Sequence, residues 1–291
     1  MPELSVAELT EIRACRPEAI AAAAAARTRR PLLADGGRLM IVAADHPARG
    51  ALGVRGEAMA MASRVDLLDR LGTALARPGV DGVLATPDLV EDLLLRGALD
   101  GKVVIGSMNR GGLQGAAFEL DDRFTAYDAE TIAALGLDGG KMLCRIDLSD
   151  PGTAGTLESC GRAVTELARR RLMAMVEPFW SHRADGRVRN DLSPAAVIRS
   201  VHVAQALGAT SAYTWLKLPV VAGMEQVMEA TTLPTLLLGG DPAGHPDEVF
   251  ATWKDALQLP SVRGLVVGRA LLYPSDDDVA GAVDAAVSLV R

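Results

Sequence analysis

Ser211-Ala-Tyr-Thr-Trp-Leu-Lys-Leu-Pro219 reads as one short strand that carries a lysine where an apolar residue is the ordinary choice. Strand side chains alternate with a period of two. Tyr213, Trp215 and Lys217 therefore share one face, and Thr214, Leu216 and Leu218 the other. A Gly208-Ala209 turn precedes the strand and Pro219 ends it, which places Lys217 near the C-terminal end. Burial disfavours an ammonium and lowers its pKa from about 10.4 toward the range in which the neutral amine is a nucleophile. The plain alternative is a lysine whose stem is covered and whose head reaches water.

Outward from this strand the chain repeats one unit: a short apolar strand, a joint rich in Gly, Pro or Asp, then an amphipathic helical stretch. Strands are expected at Leu39–Asp45, Val80–Ala85, Val103–Ser107, Lys141–Leu148, Leu172–Glu177, Ser211–Leu218, Thr235–Leu238 and Gly264–Val267. Helical stretches fall near 57–77, 88–98, 127–136, 153–171, 194–207, 222–231, 246–257 and 277–290. Repetition of this β-α unit without a linker or a break in composition predicts one closed parallel (β/α)8 TIM barrel over residues 37–291. Residues 1–36 are expected to form an N-terminal helical extension, Ala-rich and restarted at Pro17. An open doubly wound sheet would need a Gly-rich phosphate fingerprint after its first strand. Asp45-His-Pro-Ala-Arg-Gly50 is not one.

The bulk numbers agree with a barrel enzyme. The chain has 291 residues, 49% of them hydrophobic and 23% charged, near the roughly 250 residues typical of the fold. A net charge of −7 without a basic cluster argues against nucleic acid or an anionic membrane as partner. The longest apolar run, Ala19–Ala26, is too short to span a bilayer, and Glu3, Glu8 and Glu11 make the N-terminus unlike a signal peptide. Cys15, Cys144 and Cys160 form no C-x-x-C pair and suit reduced thiols in a cytoplasmic protein.

In such a barrel the C-terminal ends of the strands and the loops after them form the active face. Asp45-His46 end the first strand, and the third runs into Ser107-Met-Asn109-Arg110. The fourth carries Lys141, Arg145 and Asp147 at one parity, and the fifth ends in Glu177-Pro-Phe-Trp180. The sixth carries Lys217, the seventh ends in Gly239-Gly240-Asp241, and the eighth in Gly268-Arg269. Charged residues at the inward parity of several strands at once are hard to explain unless they line a site.

These residues resemble the class I aldolases, the Schiff-base barrels that include fructose- and tagatose-bisphosphate aldolases and deoxyribose-phosphate aldolases. Asp45 is similar to the aspartate of their Asp-His-Gly first strand, with Pro47 in place of the glycine. Lys141 to Asp147 resembles their fourth-strand lysine segment, Glu177 their fifth-strand glutamate, and Lys217 their Schiff-base lysine. Gly239-Gly240-Asp241 and Gly268-Arg269 resemble their two phosphate-binding turns. Through Asp45-His-Pro-Ala-Arg-Gly50 the chain is closer still to actinobacterial aldolase-like barrels found with inositol-catabolism enzymes.

The resemblance implies a cofactor-free lyase acting on a phosphorylated ketose or keto-sugar acid. Lys217 would form the imine, with its pKa lowered by Lys141 nearby. Glu177, with a raised pKa, would move the protons that dehydrate the carbinolamine, and Asp45 would take the hydroxyl proton. Gly239, Gly240, Gly268 and Arg269 would hold a phosphate. His46, Arg49, Ser107, Asn109, Arg145 and Asp147, with Arg110 and Arg183, stand for the rest of the substrate. By association with inositol catabolism the substrate would be 5-dehydro-2-deoxygluconate 6-phosphate. The expected partners are this phosphorylated small molecule and further copies of the chain in a homo-oligomer. Two other readings use the same residues: a metal-dependent lyase built on His46, His182 and His245, and a catalytically silent sugar-phosphate-binding barrel.

Overall fold

The computed structural model describes residues 4–33, 37–239 and 246–291. Its strands in chain order are β1 (Leu39–Ala43), β2 (Gly82–Ala85), β3 (Val103–Ser107), β4 (Gly139–Ile146) and β5 (Met173–Ala184). They continue with β6 (Arg187–Asn190), β7 (Thr214–Pro219), β8 (Thr235–Leu238) and β9 (Val262–Val267). All but β6 run parallel, and among the described residues they close a ring in the order β1-β2-β3-β4-β5-β7-β8-β9, with β9 paired back on β1. Helices of the barrel follow the strands at Arg64–Ala76, Pro87–Leu95, Ala129–Ala134, Gly152–Arg169, Pro194–Gln205, Met224–Glu229, Pro246–Ala256 and Val279–Val290. The chain is a single (β/α)8 TIM barrel.

The two-residue period divides the core into two layers. At one parity Leu39, Ile41, Val103, Ile105, Met175, Trp215, Leu236 and Val266 fill the barrel interior. At the other, Met40, Val42, Val104, Met142, Val176, Leu216 and Leu237 meet the helices. Each fully buried aliphatic side chain of this kind contributes roughly 1.5–3 kcal/mol. Local signals set the helix starts: Ser63, Asp128, Ser193 and Asp278 each accept a hydrogen bond from an N–H in the first turn.

β1 and β4 end at Ala43 and Ile146, short of the expected Asp45 and Leu148, and two stretches differ more. The helix predicted from residue 57 begins at Arg64, because Arg55 and Gly56 turn the chain with φ of 50° and 88° and Ser63 caps the helix. The fifth strand runs past Glu177 to Ala184 and folds back on β6 in an antiparallel hairpin. Its turn is Asp185-Gly186, with φ of 51° and 73°, the pair such a two-residue turn favours.

At the other end of the barrel the chain termini converge on Asp81. This buried carboxylate accepts the Met40 N–H at 2.7 Å and pairs with Arg30 at 2.5 Å and Arg291 at 2.6 Å. Arg27, also buried, donates to the carbonyls of Lys102 and Gly136, each at 2.7 Å. The helix Glu18–Ala26 leads into these arginines, and the helix Val6–Cys15 is tied through Arg13 to Glu91 and Asp92 at 2.7 and 2.9 Å. No described helix is long and apolar enough to cross a membrane.

Candidate active site

Above the aliphatic layers the inward parity changes character. Lys141 on β4, Glu177 on β5 and Lys217 on β7 continue the interior columns of adjacent strands. All three are buried, yet each borders a cavity of about 680 Å³ at the C-terminal face. Glu177 lies between the two amines, Oε1 at 3.1 Å from Lys217 Nζ and Oε2 against Lys141 Nζ. Lys141 also donates to Asp45 Oδ2 at 2.9 Å, and the Arg110 guanidinium meets the same oxygen.

The charges can be counted. Two carboxylates, Asp45 and Glu177, face three bases, Lys141, Lys217 and Arg110, in a buried cluster. Loss of one proton from a lysine makes the cluster neutral, and burial favours that state. Both amines are lowered from 10.5, chiefly by burial; Arg110 adds to the effect at each, and Arg269 at Lys217. Even Arg110 is pulled down to about 10 by burial. Lys141 is driven down further than Lys217, but it touches two carboxylates and Lys217 only one. A neutral Lys141 would take the charge from both contacts, whereas a neutral Lys217 would take it from one.

One sequence expectation is extended and one corrected. The leading cations that depress Lys217 are Arg110 and Arg269, which the sequence reading did not name, and Lys141 and Lys217 repel each other as well. Glu177 does not have a raised pKa: burial works to raise it, but Lys141 and Lys217 hold it well below the usual carboxylate range.

The cavity wall collects further predicted residues. His46, Arg49, Arg145, Gly239, Gly268 and Arg269 all border it. Gly239 and Gly268 come from β8 and β9, half a turn around the barrel from the loops after β3 and β4. A Cβ on Gly268 would stand 2.3 Å from the Ala43 carbonyl oxygen, and one on Gly239 would stand 2.6 Å from Val267 Cγ1. Packing alone therefore demands glycine at both turns. Across the barrel, Arg145 donates to Glu119 Oε1 at 2.6 Å, and Arg49 Nη2 lies 3.6 Å from the same oxygen.

Other predicted residues stand behind the wall or away from it. Asp45 is fully buried and does not border the cavity. Ser107 accepts from Arg110 Nε at 3.0 Å. Asn109 binds both backbone groups of Leu143, at 2.6 and 2.7 Å, and so pins β4. Asp147 accepts the Ser149 N–H and hydroxyl at 2.9 and 2.7 Å in the turn after β4. Arg183 is held by Asp150 at 3.1 Å and by the Ala117 carbonyl at 2.6 Å. Gly240, Asp241 and His245 lie outside the described residues. His182 is exposed on β5, and among the described residues no three His, Cys, Asp or Glu side chains are grouped as a metal site requires.

The sequence reading missed part of the wall. Arg187, Val188, Asn190 and Leu192 border the cavity because the β5–β6 hairpin carries the chain past its mouth. Asp185-Gly186 between alternating residues was the available signal. Gln114, Gly115 and Glu119, from the long loop after β3, carried no comparable pattern.

Comparison with known proteins finds the same fold. A crystal structure of Cgl0159 from Corynebacterium glutamicum is 57% identical, with 97% of this chain and 95% of that one covered and a TM-score of 0.95. An archaeal fructose 1,6-bisphosphate aldolase shares the fold at 18% identity and TM-score 0.64, with 89% of this chain and 96% of that one covered. The fructose-bisphosphate aldolase from Slackia heliotrinireducens shares it at 14% identity and TM-score 0.66, with 87% and 81% covered. No curated protein matches this sequence. The sequence model of the Cgl0159-like family matches residues 37–287, and the chain belongs to that family.

Proposed function

We propose that this barrel is a class I aldolase that cleaves a phosphorylated ketose or keto-sugar acid through an imine on Lys217. The observation that carries the reading is one buried carboxylate, Glu177, held between two lysines, with Lys217 on the wall of an open cavity. An imine supplies the electron sink that C–C cleavage needs, and it requires a neutral amine facing the substrate carbonyl. Burial and the cation excess provide that amine at Lys217. Glu177, within reach of Nζ, takes and returns the protons exchanged as the carbinolamine loses water. Lys141 keeps Glu177 ionised and in place.

Gly239, Gly268 and Arg269 make the phosphate end of this site, and the far end falls against Arg49, Arg145 and Arg187. Dihydroxyacetone phosphate is then the donor product. Arginines at the far end suit a substrate with a carboxylate there, such as 5-dehydro-2-deoxygluconate 6-phosphate, which would release malonic semialdehyde. The chemistry assigned to these residues calls for no cofactor.

Borohydride reduction in the presence of dihydroxyacetone phosphate tests the reading. One reduced adduct should form, mapped by peptide mass to the peptide containing Lys217, and Lys217→Met should abolish it. An adduct on Lys141 would reverse the two lysine roles, and no adduct would sink the Schiff-base reading.

A further inference from the structure

If Asp45 does not reach the cavity, another group must take the hydroxyl proton when the C–C bond breaks. Glu177 is a poor candidate. Each of its oxygens is already engaged by a lysine Nζ, which leaves neither turned to a substrate hydroxyl. Glu119 is engaged by Arg145, by Arg49 and by the Gly115 N–H at 2.8 Å.

His46 differs from both. It borders the cavity, with about a quarter of its side chain exposed (27%). Its Nδ1 is buried 3.7 Å from Asp45 Oδ1, and neither atom has a hydrogen-bond partner among the described residues. Asp45 Oδ2 is already taken by Lys141 and Arg110, so Oδ1 is the oxygen left to face the imidazole. A carboxylate opposite Nδ1 favours the tautomer protonated there and leaves the lone pair on Nε2, at the ring's other edge. Burial, with Arg269 and Lys217 close by, keeps the ring neutral at pH 7.

We propose that His46, oriented by Asp45, is the base that takes the substrate hydroxyl proton in the cleavage step. This rests on the Schiff-base reading. Nε2 accepts the proton, and the O–H electrons form the aldehyde carbonyl. The electrons of the breaking C–C bond form the enamine double bond, and the C=N π pair moves to nitrogen and neutralises the iminium. The imidazolium, steadied by Asp45, releases its proton to solvent through the open mouth of the cavity. Asp45 is a positioning residue in this scheme and does not touch substrate.

The test separates partial reactions. Wild type and His46→Gln are compared in borohydride trapping with dihydroxyacetone phosphate and in exchange of that ketone's α-proton in D2O. Cleavage is followed with whichever of fructose 1,6-bisphosphate and 5-dehydro-2-deoxygluconate 6-phosphate the wild type splits. His46→Gln should trap and exchange within about twofold of wild type while cleavage falls about 10²-fold, the loss of one proton-transfer catalyst. His46→Ala should regain cleavage with added imidazole, more so with more basic imidazoles. Cleavage by His46→Gln near the wild-type rate overturns the assignment. Equal loss of trapping and cleavage also does so, since His46 would then serve binding or folding. Wild type that traps but cleaves neither substrate overturns a cleavage base of any kind, and wild type that traps nothing sinks the aldolase reading itself.

Discussion

Both ends of this barrel hold a buried carboxylate among several cations, yet the two clusters are built to opposite purposes. At the lower end, Asp81 has Arg30 on one oxygen and Arg291 with the Met40 N–H on the other. Its direct partners are arginines, which keep their protons, and a backbone N–H. At the upper end, Asp45 and Glu177 meet two lysines and an arginine beside an open cavity, and Asp45 Oδ1 has no hydrogen-bond partner among the described residues. The lower cluster is satisfied with its charges fixed. The upper one carries one proton too many and two groups able to lose it. Arginine on a closed carboxylate marks a clasp, and lysine on a carboxylate at a cavity marks chemistry.

The comparison breaks first on stability. Asp81→Ala leaves the Met40 N–H and two guanidinium groups without their acceptor. Breaking such a pair costs about 3–5 kcal/mol when fully buried, and Arg30 and Arg291 are partly solvated, so about 3 kcal/mol is expected. Urea titration measures it. Turnover per folded molecule should stay at the wild-type level, because the clasp sits at the opposite end of the barrel from the cavity. A variant that keeps its stability but loses turnover would show that the two ends are coupled.

Glu177→Gln reads the other cluster. It keeps the shape and removes the proton carrier, and turnover should fall about 10²-fold, or about 2.7 kcal/mol of barrier. The pH profile gives a second reading with a definite sign. Glu177 raises the Lys217 pKa, so its removal lowers that pKa further and keeps the amine neutral to lower pH. The acid limb of imine formation should therefore move to lower pH in the variant. An unmoved limb with normal turnover would leave Glu177 a structural carboxylate like Asp81.

How much of this was legible in the sequence follows from the same contrast. The strands showed plainly, because period-two apolar runs are local, and so did Lys141, Glu177 and Lys217, which interrupt that pattern at one parity. Parity alone could not tell that Asp45, two residues past β1 at its inward parity, stops short of the cavity while its neighbour His46 reaches it. Depth along the barrel axis depends on the stagger between strands. The sign of the Glu177 shift was hidden for a related reason: two lysines far apart in sequence must first meet on its two oxygens. Asn109, counted with the substrate-binding residues on the sequence, instead clips β4 through Leu143, a role set by its partner on that strand.

The smallest expected effect concerns the cavity mouth, where charge is neither clasped nor buried. Arg187 stands exposed on the hairpin and borders the cavity. An exposed ion pair yields roughly 1 kcal/mol at best, so Arg187→Met should raise KM for an acidic substrate by no more than about fivefold. Turnover should not change, because a contact made equally in ground and transition states affects only binding. Trapping with dihydroxyacetone phosphate should also be untouched, since that donor has no acidic far end to lose. High salt should shrink the wild-type advantage over the variant, which separates a solvated charge from a buried one. A fall in turnover would mean that the hairpin closes on the reacting atoms, and the division between a chemical cluster below and a solvated mouth above would have to be redrawn.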